Sequence, residues 1–219
     1  MIHMLKKWFL SHEKVYVIII KILNLFGSNS RIKGLHPTVW LVRTKMIDKG
    51  NGNKITVGKN CILKHCTFRF LGSNNQIIIG DNCIFNNLSI WIEDNENVVK
   101  IGQNTRIHGT TGLACIEGTT IDIGEDCMFS SNINFRTGDS HSVLNLDGER
   151  INYSRNIHIG NHVWIGQNAF IGKGTAVSDN SIVGAYAVVT RVFDKSNIAI
   201  GGNPAKIIKE NVDWKRERI

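Results

Sequence analysis

The chain has 219 residues, with two prolines, 21 glycines, five cysteines and a formal net charge of +8 at pH 7. This length is enough to bury the core of one elongated domain. An odd number of cysteines without a C-x-x-C pair suits neither a disulfide framework nor a zinc site. We therefore expect thiols buried as small apolar side chains, no metal, and a cytoplasmic protein.

The positive charge is concentrated towards the N-terminus. Residues 1–70 contain 13 Lys and Arg against two acidic residues, Glu13 and Asp48. Such a basic region favours a polyanionic partner, namely anionic lipid headgroups, an acidic glycan or nucleic acid. A solvated basic surface with no dedicated partner is the alternative.

The first predicted element is an amphipathic helical segment over residues 1–30. In its apolar-rich stretch, Met4–Phe26, the longest uncharged run is Val15–Ile20, with six residues, whereas a bilayer span needs roughly 20. A small-residue cleavage site of the kind a signal peptide needs is also missing. We expect the segment to cap the open end of the following repeats or to pack between subunits. Peripheral contact of residues 1–27 with the inner membrane is the alternative.

An aliphatic residue followed by glycine then recurs along the chain. The stride is 22 residues three times, then 36, and it contracts to six after Ile159. Repeats of six residues are typical of parallel β-helices, in which the aliphatic side chain points inward and glycine turns the corner. The dipeptides are Val57-Gly58, Ile79-Gly80, Ile101-Gly102, Ile123-Gly124, Ile159-Gly160, Ile165-Gly166, Ile171-Gly172 and Val183-Gly184.

A second column of small residues stands two positions before an expected inward residue. Small and large side chains alternating on the inner face are what a narrow prism can hold, so the column supports the solenoid. Three of the five cysteines fall in it, which predicts a structural role for them. The members are Cys61, Cys83, Thr105, Cys127, Val163, Ala169, Ser181 and Ala187.

The repeat pattern breaks once, and we predict a protruding loop over residues 136–157. A long loop on a rigid scaffold is a common place for chemistry. His141 lies in this loop two residues after Asp139, so the carboxylate could orient one ring nitrogen while the other takes a proton. A surface histidine in a hydrophilic loop is the alternative.

Several motifs in this order resemble the hexapeptide-repeat acetyltransferases, whose fold is a left-handed β-helix. The resemblance is closest to the branch that O-acetylates bacterial capsular and O-antigen polysaccharides, including polysialic acid. The motifs are V-W-I-G at Val163–Gly166, G-A-x-x-V-V-T at Gly184–Thr190, G-N-P-A-K at Gly202–Lys206, Asp139-Ser140-His141, Glu149–Asn152 and Val212–Trp214.

The resemblance implies an all-β, left-handed parallel β-helix over residues 31–201 that assembles as a homotrimer with active sites at the subunit seams. From the residues, Asn203 as N-cap and Pro204 as first helical position predict a short C-terminal helix within 202–219.

The resemblance to the acetyltransferases also implies direct transfer of acetyl from acetyl-CoA to a sugar hydroxyl. His141 aligns with the family's general base, Asp139 could stabilise the imidazolium, and Trp164 aligns with a tryptophan beside the histidine. An outward aromatic in a subunit seam is the alternative for Trp164. Relatives usually carry Lys at the position of Arg191. The positions carried over as coenzyme A contacts are Gln167, Ala185, Thr190, Arg191, Lys206 and Lys209.

The predicted function is therefore an O-acetyltransferase acting on a bacterial cell-surface polysaccharide or its precursor. Its partners would be acetyl-CoA and a glycan acceptor, an acidic one if the basic region steers it, and no nucleic acid. Two alternatives stay open: N-acetylation of an amino sugar or other small amine, and a non-catalytic solenoid that binds glycans or proteins.

Overall fold

The computed structural model describes residues 18, 19, 22 and 35–219. The helical segment predicted over 1–30, and the membrane contact predicted for 1–27, fall almost entirely outside these described residues. Within the described part of the chain, no helix has the length and apolar character that crossing a bilayer requires.

The described residues form short β-strands that follow one another around a coil. In chain order they are β1 (Trp40–Val42), β2 (Lys45–Asp48), β3 (Lys54–Val57), β4 (Ile62–Lys64), β5 (Thr67–Phe70), β6 (Gln76–Ile79), β7 (Ile84–Asn86), β8 (Leu88–Ile92), β9 (Val98–Ile101), β10 (Arg106–Ile107), β11 (Thr111–Cys115), β12 (Thr120–Ile123), β13 (Met128–Phe129), β14 (Ile133–Arg136), β15 (Ile157–Ile159), β16 (Trp164–Ile165), β17 (Phe170–Ile171), β18 (Ala176–Val177), β19 (Ile182–Val183), β20 (Val188–Val189), β21 (Val192–Phe193), β22 (Ile198–Gly201) and β23 (Lys206–Glu210).

Each turn of the coil contributes one strand to each of three sheets. Sheet A has the order β1-β4-β7-β10-β13-β16-β19-β22-β23, sheet B the order β2-β5-β8-β11-β14-β17-β20, and sheet C the order β21-β18-β15-β12-β9-β6-β3. The ladders between successive turns are parallel, for example β4 with β7 and β16 with β19. The predicted all-β parallel solenoid is confirmed.

The predicted repeat columns are confirmed by the strand register. Leu63 pairs with Phe85, Phe129 with Ile165, and Ile165 with Val183, so equivalent inward residues stack from turn to turn. The small column is buried throughout, from Cys61 to Ala187. The five cysteines are free and buried. Burial raises the pKa of Cys66 to about 11 and of Cys127 to about 12, so these thiols stay protonated and unreactive.

The corners of the coil explain the glycine and asparagine content. A Cβ on Gly102 would lie 2.5 Å from the carbonyl carbon of Gly124 one turn away, so the close approach of successive turns requires glycine there. Asparagine takes left-handed backbone angles at many corners, such as Asn60 and Asn82, each with φ of 58°. At the corner between sheets B and C, Asn53, Asn75 and Asn97 form a ladder of side-chain hydrogen bonds.

The predicted C-terminal helix is wrong. Residues 202–205 form a turn, and β23 then runs antiparallel to β22 at the end of sheet A. The Asn-Pro pair that predicted a helix start lies in this turn. The strand β23 is more stable here than a helix because its backbone groups form hydrogen bonds with the otherwise open edge of sheet A. The following tail packs on the coil, with the Trp214 side chain buried.

Candidate active site

The loop leaves the coil at the corner between sheets B and C, because β14 lies in sheet B and β15 in sheet C. Thr137 ties the two limbs of the loop together at its base. Its carbonyl oxygen accepts a 2.9 Å hydrogen bond from the Arg155 backbone N–H. Its hydroxyl oxygen accepts hydrogen bonds from the Ile116 backbone N–H at 3.0 Å and from the Thr119 hydroxyl at 2.7 Å. The loop therefore starts from a fixed, buried base.

Asn152 holds the limb that carries the predicted general base. Its Nδ2 donates to the His141 carbonyl oxygen and to Asp139 Oδ2, both at 2.8 Å. Its Oδ1 accepts from the Val143 backbone N–H at 2.8 Å. One amide side chain thus contacts the loop before His141, at the Asp139 carboxylate, and after it, at the Val143 backbone. In the sequence, Asn152 stood out only as part of the motif Glu149–Asn152 and was given no role of its own.

Ion pairs join the loop to the turns on either side of it. Arg150 lies 2.6 Å from Glu117 Oε1, in the turn before the loop. On the other side, Lys173 forms an ion pair with Asp139 and donates to the Asn152 carbonyl oxygen at 3.0 Å. The hydrogen bonds from Lys173 and Asn152 hold the pKa of Asp139 below its ordinary value.

Asp139 is therefore engaged differently from what the sequence predicted. Its carboxylate bonds to Lys173 and Asn152, and the His141 ring makes no hydrogen bond with any residue in the described ranges. The expected Asp139–His141 contact is absent from this chain, and Asp139 positions the loop. The His141 side chain is exposed, directly after Ser140 in the left-handed region with φ of 63°.

Trp164 lies on a different face of the coil from the loop. It is an outward residue of β16 in sheet A, 37% exposed, and its ring centroid is 6.3 Å from that of Trp214. Sheet A is the face opposite the B–C corner of a three-sided coil. A single chain therefore does not bring Trp164 and His141 together.

The predicted coenzyme A positions fall into three places, and all of their side chains are exposed. Gln167 and Ala185 follow β16 and β19 at the A–B corner, in successive turns. Thr190 and Arg191 lie between β20 and β21, at the same B–C corner as the loop. Lys206 and Lys209 lie on β23.

Two adjoining clefts lie on sheet B beside the loop. The first, about 330 Å³, is lined among others by Trp91, Asn134 and Ser140. The second, about 460 Å³, is lined among others by Asp139, Arg155, Lys173 and Thr190. Arg136 and Gly138 line both, so the two clefts are continuous. Sequence reasoning missed this surface. The available signal was that Trp91 and Arg136 occupy outward positions of one register column.

The chain is similar to a described family and to named proteins. Residues 156–191 match the family described as bacterial transferase hexapeptide (six repeats). A polysialic acid O-acetyltransferase of Neisseria meningitidis is 33% identical over 175 residues, which cover 80% of this chain and 80% of that protein. One of Escherichia coli O1:K1 / APEC is 34% identical over 97 residues, which cover 44% of this chain and 31% of that protein.

Two solved structures agree with these sequence relatives. The polysialic acid O-acetyltransferase OatWY superposes with a TM-score of 0.72 at 30% identity, covering 83% of this chain and 92% of that one. The polySia-specific acetyltransferase NeuO superposes with a TM-score of 0.65 at 30% identity, covering 80% of this chain and 89% of that one.

The chain belongs to the hexapeptide-repeat acyltransferases and is an acetyltransferase. Within that family it falls in the branch of the polysialic acid-type O-acetyltransferases, as the motifs around the loop and the C-terminal turns indicated.

Proposed function

We propose that this acetyltransferase transfers acetyl from acetyl-CoA to a sugar hydroxyl of a bacterial cell-surface polysaccharide, capsule or O-antigen, or of its precursor. The observation that carries the proposal is the similarity over 80% of the chain to an enzyme named for O-acetylation of polysialic acid. His141 is exposed on a loop whose two ends are held together at Thr137, and this arrangement also supports acetyl transfer.

His141 is the general base of this mechanism. A neutral imidazole takes the proton of the acceptor hydroxyl while the hydroxyl oxygen attacks the thioester carbonyl carbon. The new C–O bond forms, the C–S bond breaks, and the proton passes to the leaving thiolate of coenzyme A. The exposed ring of His141 leaves both nitrogens accessible to the acceptor and to the leaving group. Asp139 acts through the loop, since its carboxylate ties the loop to Lys173.

Acetyl-CoA supplies the activated acyl group, and the exposed cations at the C-terminal end suit its phosphates. Arg191, Lys206 and Lys209 form no ion pair with any described residue, so their charges are available to an anionic ligand. Gln167 and Ala185 lie one turn apart at the A–B corner, where exposed backbone could hold the pantetheine arm.

We further propose that the site is completed by a second copy of the chain in a homotrimer. His141 lies at the B–C corner and Trp164 on the opposite face, so one subunit cannot place both beside one acceptor. In a trimer, the loop of one subunit would meet the sheet A face of its neighbour. Trp164 would then offer its indole N–H or its ring face to the sugar.

The test is transfer of radiolabelled acetyl from acetyl-CoA to polysialic acid and to a panel of other bacterial glycans. His141→Ala should lower the rate by about 100-fold or more, because general base catalysis supplies about that much. The Tm should not change, since the side chain is exposed. His158→Ala, an exposed histidine on sheet C, is the matched control. Full activity of His141→Ala would contradict the proposed base.

Mixing subunits tests the shared site. His141→Ala and Trp164→Ala proteins are each expected to be nearly inactive alone. After joint refolding, mixed trimers contain seams that combine one intact histidine with one intact tryptophan, so activity should reappear. No recovery in trimers shown to be mixed would place both residues in one subunit. Alkaline lability of the labelled product separates an ester from the amide of the alternative N-acetylation.

A further inference from the structure

Sheet B carries a long cleft on its outward face. Between β8, which carries Trp91, and β14, which carries Arg136, the outward residues of β11 are Gly112 and Ala114. These small residues make a low floor between larger side chains. The cleft runs from β8 to the turn after β20, which is about four strand spacings or ~19 Å. We name this surface the sheet B cleft.

One wall of the cleft is the Trp91 ring, which a cation holds in place. Trp91 is 38% exposed, and the Arg69 guanidinium lies over its ring at 4.8 Å from the centroid. A cation on an aromatic face fixes the ring and leaves its other surface for a ligand. An exposed, immobilised tryptophan with a free indole edge suits a ring that has one apolar face and polar edges.

The rest of the lining is rich in cations that lack protein partners. Arg136 and Arg155 make no side-chain hydrogen bond or ion pair with any residue in the described ranges. Lys173 is paired with Asp139. Glu93 is the one other carboxylate that lines the cleft, at the Trp91 end. Free guanidinium groups are strong partners of carboxylates, and Glu93 and Asn134 could accept hydrogen bonds from hydroxyls.

The cleft also passes beside the predicted general base. Ser140 lines its first half and Asp139 its second half, so the segment that carries His141 borders the cleft midway along its length. A chain lying in the cleft would run past His141 with units on both sides of it. This arrangement fits a polymeric acceptor rather than a single sugar.

We propose that the sheet B cleft binds a segment of an acidic polysaccharide, with Trp91 stacking on one sugar ring and Arg136 pairing with a sugar carboxylate. This inference rests on the proposed function, because it assigns the acceptor of the same site. Single-stranded nucleic acid is the competing occupant, and the test includes it as a probe.

The test measures equilibrium binding and acetyl transfer separately, in the full-length protein. Binding probes are long-chain polysialic acid, polygalacturonate as a second carboxylate chain, neutral dextran and single-stranded RNA. Arg136→Gln and Trp91→Ala should each weaken binding of an acidic chain about tenfold, the effect of losing one charge-assisted hydrogen bond or one stacked ring. If transfer occurs, KM for the polymer should rise by a similar factor while KM for acetyl-CoA stays constant.

Matched controls lie on the other faces. Trp40→Ala removes a similar cation–π pair on sheet A, where Lys64 lies 5.4 Å from the ring centroid. Lys100→Gln removes an exposed cation from sheet C. Both should bind the acidic chains like the wild type. These controls separate a specific site from the general positive charge of the protein.

The two failures are distinguishable. If the wild type binds an acidic chain in a manner sensitive to Arg136 and Trp91 but transfers no acetyl to any glycan, the cleft stands and the proposed function falls. If acetyl transfer occurs but neither variant differs from its control, the cleft is overturned and the proposed function stands. Failure to bind either carboxylate chain, or tighter binding of RNA, also overturns it.

Discussion

The turns before the loop and the turns after it are built on different scales. Before the loop, equivalent residues such as Leu63 and Phe85 are 22 residues apart, and strands of sheets B and C have four or five residues. After it, Ile165 and Val183 are 18 residues apart, and β16 to β21 have two residues each. The wide turns are filled by buried phenylalanines, whereas the narrow turns hold mainly Ile, Val and Ala.

This difference changes the outward surface along the coil. The additional residues of the wide turns lengthen the strands of sheet B, which makes a face broad enough for a cleft. The corners of the narrow turns carry the predicted coenzyme A positions Gln167, Ala185, Thr190 and Arg191. The loop with His141 stands at the boundary between wide and narrow turns, and the sheet B cleft continues past it to Thr190, where the surface proposed for the acceptor adjoins the positions proposed for the donor.

The largest expected contrast is in the core. Phe85→Ala in a wide turn should lower the free energy of unfolding by about 3–5 kcal/mol, since it leaves a large cavity. Val183→Ala in a narrow turn removes two methyl groups and should cost about 2 kcal/mol. Urea denaturation followed by circular dichroism measures both. Equal losses would mean that the narrow turns cannot relax around a cavity and that the two halves are equally packed.

A smaller contrast concerns buried polar groups at the B–C corner. Asn97→Ala in the wide turns removes the acceptor of the buried Thr119 backbone N–H and should cost about 1–3 kcal/mol. Thr175→Val in the narrow turns removes one hydroxyl that donates to the Val189 carbonyl oxygen at 2.9 Å. That oxygen keeps the Gly172 N–H, so the expected cost is about 1 kcal/mol. The same denaturation experiment ranks the two variants, and the reverse order would contradict the ladder's role.

The smallest expected effect is the pH dependence of the C-terminal tail, which links the two regions. Burial acts to raise the pKa of Asp126, but hydrogen bonds from Arg216 and His162 outweigh it and hold that pKa below its ordinary value. The contribution of the tail is therefore complete above the unfolded-state pKa of about 3.9 and is lost as pH falls through the lower folded value.

Hydrogen exchange of residues 210–219, corrected for the intrinsic rate, should show the tail opening in that acidic range before the coil does. Asp126→Asn should remove most of this pH dependence and leave faster exchange at every pH. Exchange in the wild type that does not change with pH would show that contacts other than those of the Asp126 carboxylate hold the tail.

Sequence reasoning recovered the coil because its determinants are repeated. Inward aliphatic residues such as Ile101 and Ile123 recur at every turn, so many independent positions specify the same register. The C-terminal turn was misjudged because Asn203 and Pro204 suit a turn as well as a helix start, and the free edge of sheet A decides between them. That edge is a property of the assembled coil, not of the local pattern.

The details of the candidate site depend on which turns become neighbours. Asp139 is two residues from His141, yet it pairs with Lys173, which lies 34 residues further along and one turn away. The position of Lys173 relative to the loop can be predicted only when the 36 residues between Ile123 and Ile159 have been divided into one turn of the coil and the protruding loop. The sheet B cleft likewise depends on Gly112 and Ala114 aligning between Trp91 and Arg136.

The tail has a mechanical consequence for the coil. Turns of a solenoid touch only their neighbours, so unravelling would start at the last turn and proceed one turn at a time. Here Trp214 stacks on His162 at 4.2 Å between ring centroids, and Arg216 donates to the carbonyl oxygens of Asn104, Asp126 and Cys127. The tail therefore contacts three successive turns of the coil, which carry Asn104, Asp126 and His162. A force applied to the C-terminus must break these contacts of Trp214 and Arg216 before any strand of the last turns can separate from its neighbour.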